Sequence, residues 1–278
     1  MLKIILLPLC ILFGINCAAA LPKANFGTIE RLSNFQSQYV PARHIDIWFP
    51  QGYNQKTKYA VLYMHDGQML FDAKTTWNKQ EWRVDEVGQA LINQDKVQPF
   101  IVVGVHNGDL NRHAEYFPER PFHGLTPEQQ QLQYQQMRSE NVKLFSKPIY
   151  SDRYLKFLVT ELKPYIDSHF SVHTDREHTF VMGSSMGGLI SMYAINEYPE
   201  VFGGAACLST HWPGNFMTKD NPTPAKFFAY LQQHLPKPAA HKFYFDYGDQ
   251  TLDALYPPLQ KQVDAIMQQK NYPAELWQ

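Results

Sequence analysis

Cysteine is scarce in this chain. There are three in 278 residues, and two of them, Cys10 and Cys17, lie near the N-terminus. Residues 1–20 read as a signal peptide: Lys3 supplies a positive start, Ile4 to Ile15 an apolar run, and Ala18-Ala19-Ala20 a small-residue cleavage pattern. The run is too short to span a bilayer, which favours a removed peptide over an anchor. A lipoprotein signal ending at Cys17 is the competing reading, and Ile15 and Asn16 are poor company for it. Cleavage after Ala20 leaves Cys207 as the one thiol. The expected mature protein is periplasmic or secreted, is no disulfide scaffold, and owes its stability to burial.

Other absences narrow the field. A formal net charge of −1 leaves no basic surplus for nucleic acid or an anionic membrane. No second apolar run reaches transmembrane length, so no membrane anchor is expected. The eleven histidines show no H-E-x-x-H spacing, so no metal and no cofactor are expected. No repeat or linker-like shift in composition divides residues 21–278, which read as one domain.

What the chain does have is an alternation of short apolar runs and helical periods. Ala42 to Pro50 alternates Ile45, Ile47 and Phe49, as in a half-exposed antiparallel strand near a sheet edge. Tyr59 to Met64 and Phe100 to Val105 are continuous apolar runs, suited to strands covered on both faces. Thr179 to Met182, Gly204 to Leu208 and Lys242 to Tyr247 complete the set. Leu155, Leu158, Val159, Leu162 and Ile166 share a helical face, with Ser151 as candidate N-cap and Pro164 as a kink. Leu259, Val263, Ile266 and Met267 mark a second helix, and Trp77 to Leu91 a less regular third. The pattern predicts an α/β fold with a mostly parallel sheet and helices on both faces. Residues 111–150 break the alternation. They read as an insertion with a solvated, glutamine-rich helix, placed after a strand's C-terminal end where it could cap a pocket.

The chemistry gathers at His178 to Leu189, HTFVMGSSMGGL. A serine hydroxyl is a weak nucleophile and must stand clear of the backbone to meet both a base and a carbonyl. A sharp strand-to-helix turn achieves this but crowds the residues two before and two after the serine. Gly183 and Gly187 relieve that crowding, which makes Ser185, not Ser184, the centre of a G-x-S-x-G frame. The oxyanion donors would be the amide of Met186 and one in the loop His65-Asp66-Gly67-Gln68 after an earlier strand. Gln68 is preferred there, with Gly67 as alternative.

GSSMGGLISMYAI, YMHDGQMLFD, VGVHNG, STHW and YGDQTLDALY together resemble the putative-esterase family of α/β-hydrolases. That group includes esterase D-like enzymes, enterochelin esterases, feruloyl esterases and bacterial mycolyltransferases. The resemblance runs from about Arg43 to the C-terminus. It implies an α/β-hydrolase fold and a carboxylesterase acting on a small-molecule ester, with Ser185 as nucleophile, a donor at Gln68 and an acid after the strand KFYFDYG. Asp253 is the preferred acid and Asp249 the alternative; Asp253 could instead cap the following helix.

The remaining absence is a histidine. The family order is Ser, acid, His, yet no histidine follows Asp253, and the last in the chain is His241. The expected final strand lies near Glu275-Leu276-Trp277 with the histidine beyond it, so the sequence reads as C-terminally truncated and its activity as uncertain. His211 is the best surrogate base, but with Trp212 it is expected to line the substrate pocket. Tyr116, Phe117 and Phe122 of the insertion, together with Trp212, would suit an aromatic or extended acyl group, or else pack a cap. His65 and His106 are expected to make local hydrogen bonds. The leading reading is a secreted serine esterase. The alternatives are a non-catalytic hydrolase-like binding protein and an acyltransferase of the same fold.

Overall fold

The structure, a computed structural model, describes residues 20–217, 219–238 and 240–277. The expected signal peptide therefore lies outside the described residues except for Ala20. Among them no helix is long and apolar enough to cross a membrane.

A seven-stranded sheet in the order β1-β2-β4-β3-β7-β8-β9 organises the fold. Its strands are β1 (Thr28–Phe35), β2 (Arg43–Phe49), β3 (Ala60–His65), β4 (Phe100–Val105), β7 (Thr179–Ser184), β8 (Gly204–Leu208) and β9 (Lys242–Asp246). β1 and β2 are antiparallel to their neighbours, while β4, β3, β7, β8 and β9 run parallel. A two-stranded ribbon of β5 (Met137–Ser139) and β6 (Val142–Lys143) stands apart. The helices are α1 (Val84–Asn93), α2 (Arg112–Tyr116), α3 (Glu119–His123), α4 (Pro127–Gln135), α5 (Ser151–Phe157), α6 (Lys163–His169), α7 (Met186–Glu197), α8 (Thr223–His234) and α9 (Pro257–Gln269).

This is the mostly parallel α/β sheet that the alternation predicts, with the α/β-hydrolase order that the resemblance implies, and its layout determines where a ligand can sit. After β3 the chain steps to β4 on one side, and β7 continues on the other. Such a switch opens a crevice at the C-terminal ends of the strands. The loop after β3 and the turn after β7 meet there. α7, which follows that turn, is buried from Met186 to Asn196, so the turn rests on the core rather than on a mobile surface element.

Several local expectations change. β2 is almost wholly buried, because β1 covers its outer edge with Thr28 opposite Phe49. β1 escaped prediction because TIERLSNF interrupts its apolar residues with polar ones, as an exposed edge strand does. The run from Trp77 is not helical at its start. Arg83 takes a left-handed conformation at φ 55° just before α1, and Trp77 lies in the preceding loop, 85% exposed. Ser151 is the first residue of α5 and not its cap; its hydroxyl instead accepts the Glu119 amide at 3.0 Å. Pro164 does not end its helix. A wider π turn over Leu158–Leu162 joins α5 to α6, which accommodates a residue with no N–H and a ring that crowds the carbonyl four residues back.

The insertion is largely helical. α4 carries the glutamines, opens with a reciprocal Thr126–Gln129 capping box, and exposes most of its length. Gln133 is the exception, buried with its Oε1 accepting from Asn215 Nδ2 at 2.7 Å.

Candidate active site

Ser185 sits at φ 61°, ψ −117° between β7 and α7. A non-glycine residue pays for such a backbone, and the surroundings hold it there. The Ser185 amide donates to Leu208 O at 2.9 Å, and its carbonyl accepts from the His211 amide at 3.2 Å and the Leu189 amide at 3.2 Å. A Cβ on Gly183 would lie 2.6 Å from Gly187 O, so the turn closes only because residue 183 has no side chain. The serine is half-buried. Leu189 makes the first intrahelical bond of α7, which leaves the amides of Met186, Gly187 and Gly188 at the electropositive helix start.

The loop after β3 forms a short 3-10 turn, Gly67–Met69. Its left-handed residue is Asp66, at φ 58°, and not Gly67. Gly67 matters for close approach, since a Cβ there would lie 2.4 Å from the Gly104 carbonyl carbon. Gln68 Oε1 accepts the Asn107 amide at 3.1 Å, which ties this loop to the end of β4.

Asp66 fixes the loop against the serine turn. Arg112 grips both its oxygens, at 2.6 and 2.7 Å, and Asn107 Nδ2 adds a bond of 2.7 Å. Arg112 also reaches Ser184 O at 3.4 Å, in the turn itself. Burial alone would raise the Asp66 pKa, but the Arg112 charge and these hydrogen bonds hold it below its ordinary value. A second buried pair stands behind the first, with Glu115 accepting from Arg43 at 2.7 and 3.0 Å and from the Tyr150 hydroxyl at 2.9 Å. Arg112, Asn107 and Glu115 escaped sequence reasoning. HNG and the following charged residues were the available signal, but ion pairing across the fold has no sequence period.

On the other flank, Asp253 lies in a 3-10 turn, Thr251–Leu255. Its Oδ2 accepts from Ser209 Oγ at 2.6 Å and from the Gly248 amide at 3.0 Å. It does not cap α9, whose N-cap residue, Tyr256, makes no side-chain cap bond. Asp249 is exposed and meets only its neighbour Gln250, at 3.0 Å. The structure therefore brings Asp253 to the loop after β8 and leaves Asp249 outside.

Two expectations about the pocket fail. Trp212 has no exposed surface; its Nε1 donates to Gln260 Oε1 at 2.9 Å and it packs between Phe228 and Phe245. It is a core residue and offers no wall to a ligand. Tyr116, Phe117 and Phe122 are likewise core residues. His211 is 2% exposed, with its Nδ1 2.9 Å from the Tyr256 hydroxyl. The Tyr256 hydroxyl in turn lies against the Ser185 side chain. Burial pushes the His211 pKa down to about 4. His65 and His106 make local bonds, to Tyr154 at 2.8 Å and Asp46 at 2.7 Å. Trp277 forms a parallel bridge to Phe243, which places residues 275–277 beside β9 where a further strand was expected.

Beside Gln68 opens a polar cleft of about 690 Å³, lined among others by Lys74, His106, Asn107, Asp109 and Asn111. Metal-ligand geometry was not expected, yet His173, Asp175 and His178 converge before β7. Their H-x-D-x-x-H spacing is that of a loop, which a search for helical spacings misses.

The putative-esterase family model matches residues 41–275. The chain belongs to that family. It is 25% identical over 175 residues to the uncharacterised protein YbbA of Bacillus subtilis (strain 168), covering 62% of this chain and 59% of that one. It is also 25% identical over 190 residues to an endo-1,4-beta-xylanase/feruloyl esterase of Xylanibacter ruminicola, covering 66% and 22%. The chain thus spans 59% and 22% of these relatives' lengths. Among solved structures, an IroE-like serine hydrolase from Shewanella oneidensis matches with a TM-score of 0.62 and 18% identity. That match covers 90% of this chain and 71% of the other, and it supports the α/β-hydrolase fold for this family member.

Proposed function

We propose that this protein is a secreted serine ester hydrolase that works through an acyl-enzyme on Ser185. The observation that carries the reading is the strained Ser185 backbone, facing the loop of Gln68 across the crevice and held there by Arg112 and Asp66. Ser185 Oγ attacks the ester carbonyl carbon while its proton passes to a base. The amides of Met186 and Gln68 receive the developing oxyanion, the alcohol leaves, and water then releases the acid. Asp253 is the carboxylate that would orient the base. Membership of the putative-esterase family and the likeness to a serine hydrolase fold support this assignment.

The base is the weak part of the constellation. Among the described residues, the imidazole linked to Ser185 is His211, through Tyr256. At a pKa of about 4 it accepts a proton poorly. With His211 as the base, slow labelling of Ser185 is the expected outcome. With the aromatic side chains of the insertion buried, the polar cleft beside Gln68 favours esters that carry a hydroxyl-rich or charged portion.

A fluorophosphonate probe tests the proposal. It should label the protein slowly, label it faster when imidazole is added to the buffer, and leave Ser185→Ala unlabelled. Absence of labelling even with imidazole overturns the nucleophile assignment. It would favour a non-catalytic binding protein, a reading motivated by the tyrosine that stands beside the serine. Competition between water and added alcohols separates hydrolase from acyltransferase.

A further inference from the structure

At the opposite end of β7 the chain enters the strand through Val172 to His178, VHTDREH. This segment is firmly held. Val172 bridges to Tyr59, and the His173 amide donates to Tyr59 O at 2.9 Å. The Thr179 hydroxyl closes back on Asp175 O at 2.8 Å. Lys163 Nζ donates to Thr174 O at 3.1 Å and pairs with Asp167 at 2.8 Å. Asp175 caps the 3-10 turn Arg176–His178, with its Oδ1 accepting the His178 amide at 3.1 Å.

This backbone brings three ligand-type side chains together. The His173 and His178 rings stack at 4.0 Å between centroids, 18° apart. His178 Nδ1 lies 2.6 Å from Asp175 Oδ1. One ligand atom from each of the three residues falls within 4.8 Å of the others. Zinc bound at about 2.0 Å in a tetrahedron needs ligand atoms about 3.3 Å apart, so side-chain rotations alone can admit the ion. His173 and His178 are half-buried and Asp175 is exposed, so the site is open to solvent on one side.

We propose that His173, Asp175 and His178 form a binding site for a divalent transition metal of the zinc class. Two imidazoles and one carboxylate suit a borderline cation, and the open side leaves a position for water. Six residues of strand, at about 3.3 Å each, put the site roughly 20 Å from Ser185, too far to share its chemistry. Its effect is to staple the entry to β7. Bound metal ties His173, before the turn, to His178, its last residue, and stabilises the folded state by mass action. The site is independent of the ester-hydrolase proposal.

The test uses the whole chain and two probes. Metal-stripped protein is titrated with Co2+, followed by its visible absorption, and with Zn2+, followed by heat release and thermal melting. The expected result is one Co2+ per chain with the intensity of a tetrahedral site, displaced by Zn2+, and a melting temperature raised by about 3 °C or more in excess Zn2+. His173→Ala and His178→Ala should each weaken Co2+ binding at least tenfold and abolish the melting shift. His169→Ala, an exposed histidine stacked on Tyr165, should change neither. Each variant is first melted in chelator to confirm that it folds. No uptake at about 0.1 mM metal, a concentration at which a site of that Kd is half filled, or uptake unaltered in the His178 variant, overturns the proposal.

Discussion

The two flanks of Ser185 are built differently. On the Gln68 side, Asp66 is nearly buried, gripped by Arg112 and Asn107, and backed by the Arg43–Glu115 pair. On the Asp253 side, a short turn with exposed Leu252 and Leu255 rests on one hydroxyl contact to Ser209 and one amide contact to Gly248. On the proposed mechanism, the first flank is a fixed scaffold for donors that must not reorganise as charge develops. The second can shift at little cost. If Ser185 acts as proposed, oxyanion binding survives perturbation better than orientation of the base.

Removing the grip on Asp66 is the largest expected blow to this contrast. Arg112→Ala leaves a buried carboxylate with Asn107 as its remaining side-chain partner, and should destabilise the fold by about 3–5 kcal/mol, read as a lower urea midpoint. Arg112→Lys keeps the charge but loses the fork and should recover only part of the loss. If Arg112→Ala melts like the wild type, the scaffold side is not the rigid one.

Acid comes next. Burial pushes the pKa values of His65 and His113 down to about 3 and that of His211 to about 4. Below the ordinary histidine value of about 6.5, the unfolded chain takes up protons that the folded chain refuses. Stability is therefore full above pH 7 and falls as pH drops toward 4, by roughly 2 kcal/mol per histidine at pH 5. Asp46 and Asp66, whose pKa values are lowered, lose their contribution only at pH below the ordinary carboxylate range. His113→Gln should flatten the slope between pH 6.5 and 5. An unchanged slope would show that His113 is not held neutral.

The smallest effect separates the two candidate acids. Asp253→Asn should slow imidazole-assisted labelling of Ser185 about tenfold, worth about 1.4 kcal/mol, with little change in melting. Asp249→Asn should change neither. Equal slowing in both variants would remove the assignment of Asp253.

What the sequence made legible follows from the range of each interaction. The serine turn is local: Gly183 and Gly187 stand two residues from Ser185, and the steric reason for them acts within that span. β3 and β4 announce themselves because both faces of each are covered. β1 is one-sided and polar, and its pairing with β2 includes an Arg31–Asp46 ion pair, which no periodicity encodes. Arg112 and Asp66 are 46 residues apart, and only the fold makes them neighbours. The aromatic residues of the insertion stayed open between two readings for a related reason. Composition shows that they are apolar, and only packing decides whether they face a ligand or one another.

Cys207 gives the strand beside the serine turn its own clock. It is the free cysteine of the described residues, buried in β8 with Gly183 opposite on one side and Phe245 on the other. Burial raises its pKa well above the ordinary thiol value, so the folded sulfur is inert. A thiol reagent can reach it only when β8 separates from its neighbours. In a background with Cys10 and Cys17 replaced by serine, the rate of modification reports how often the sheet opens next to Ser185, with no engineered cysteine.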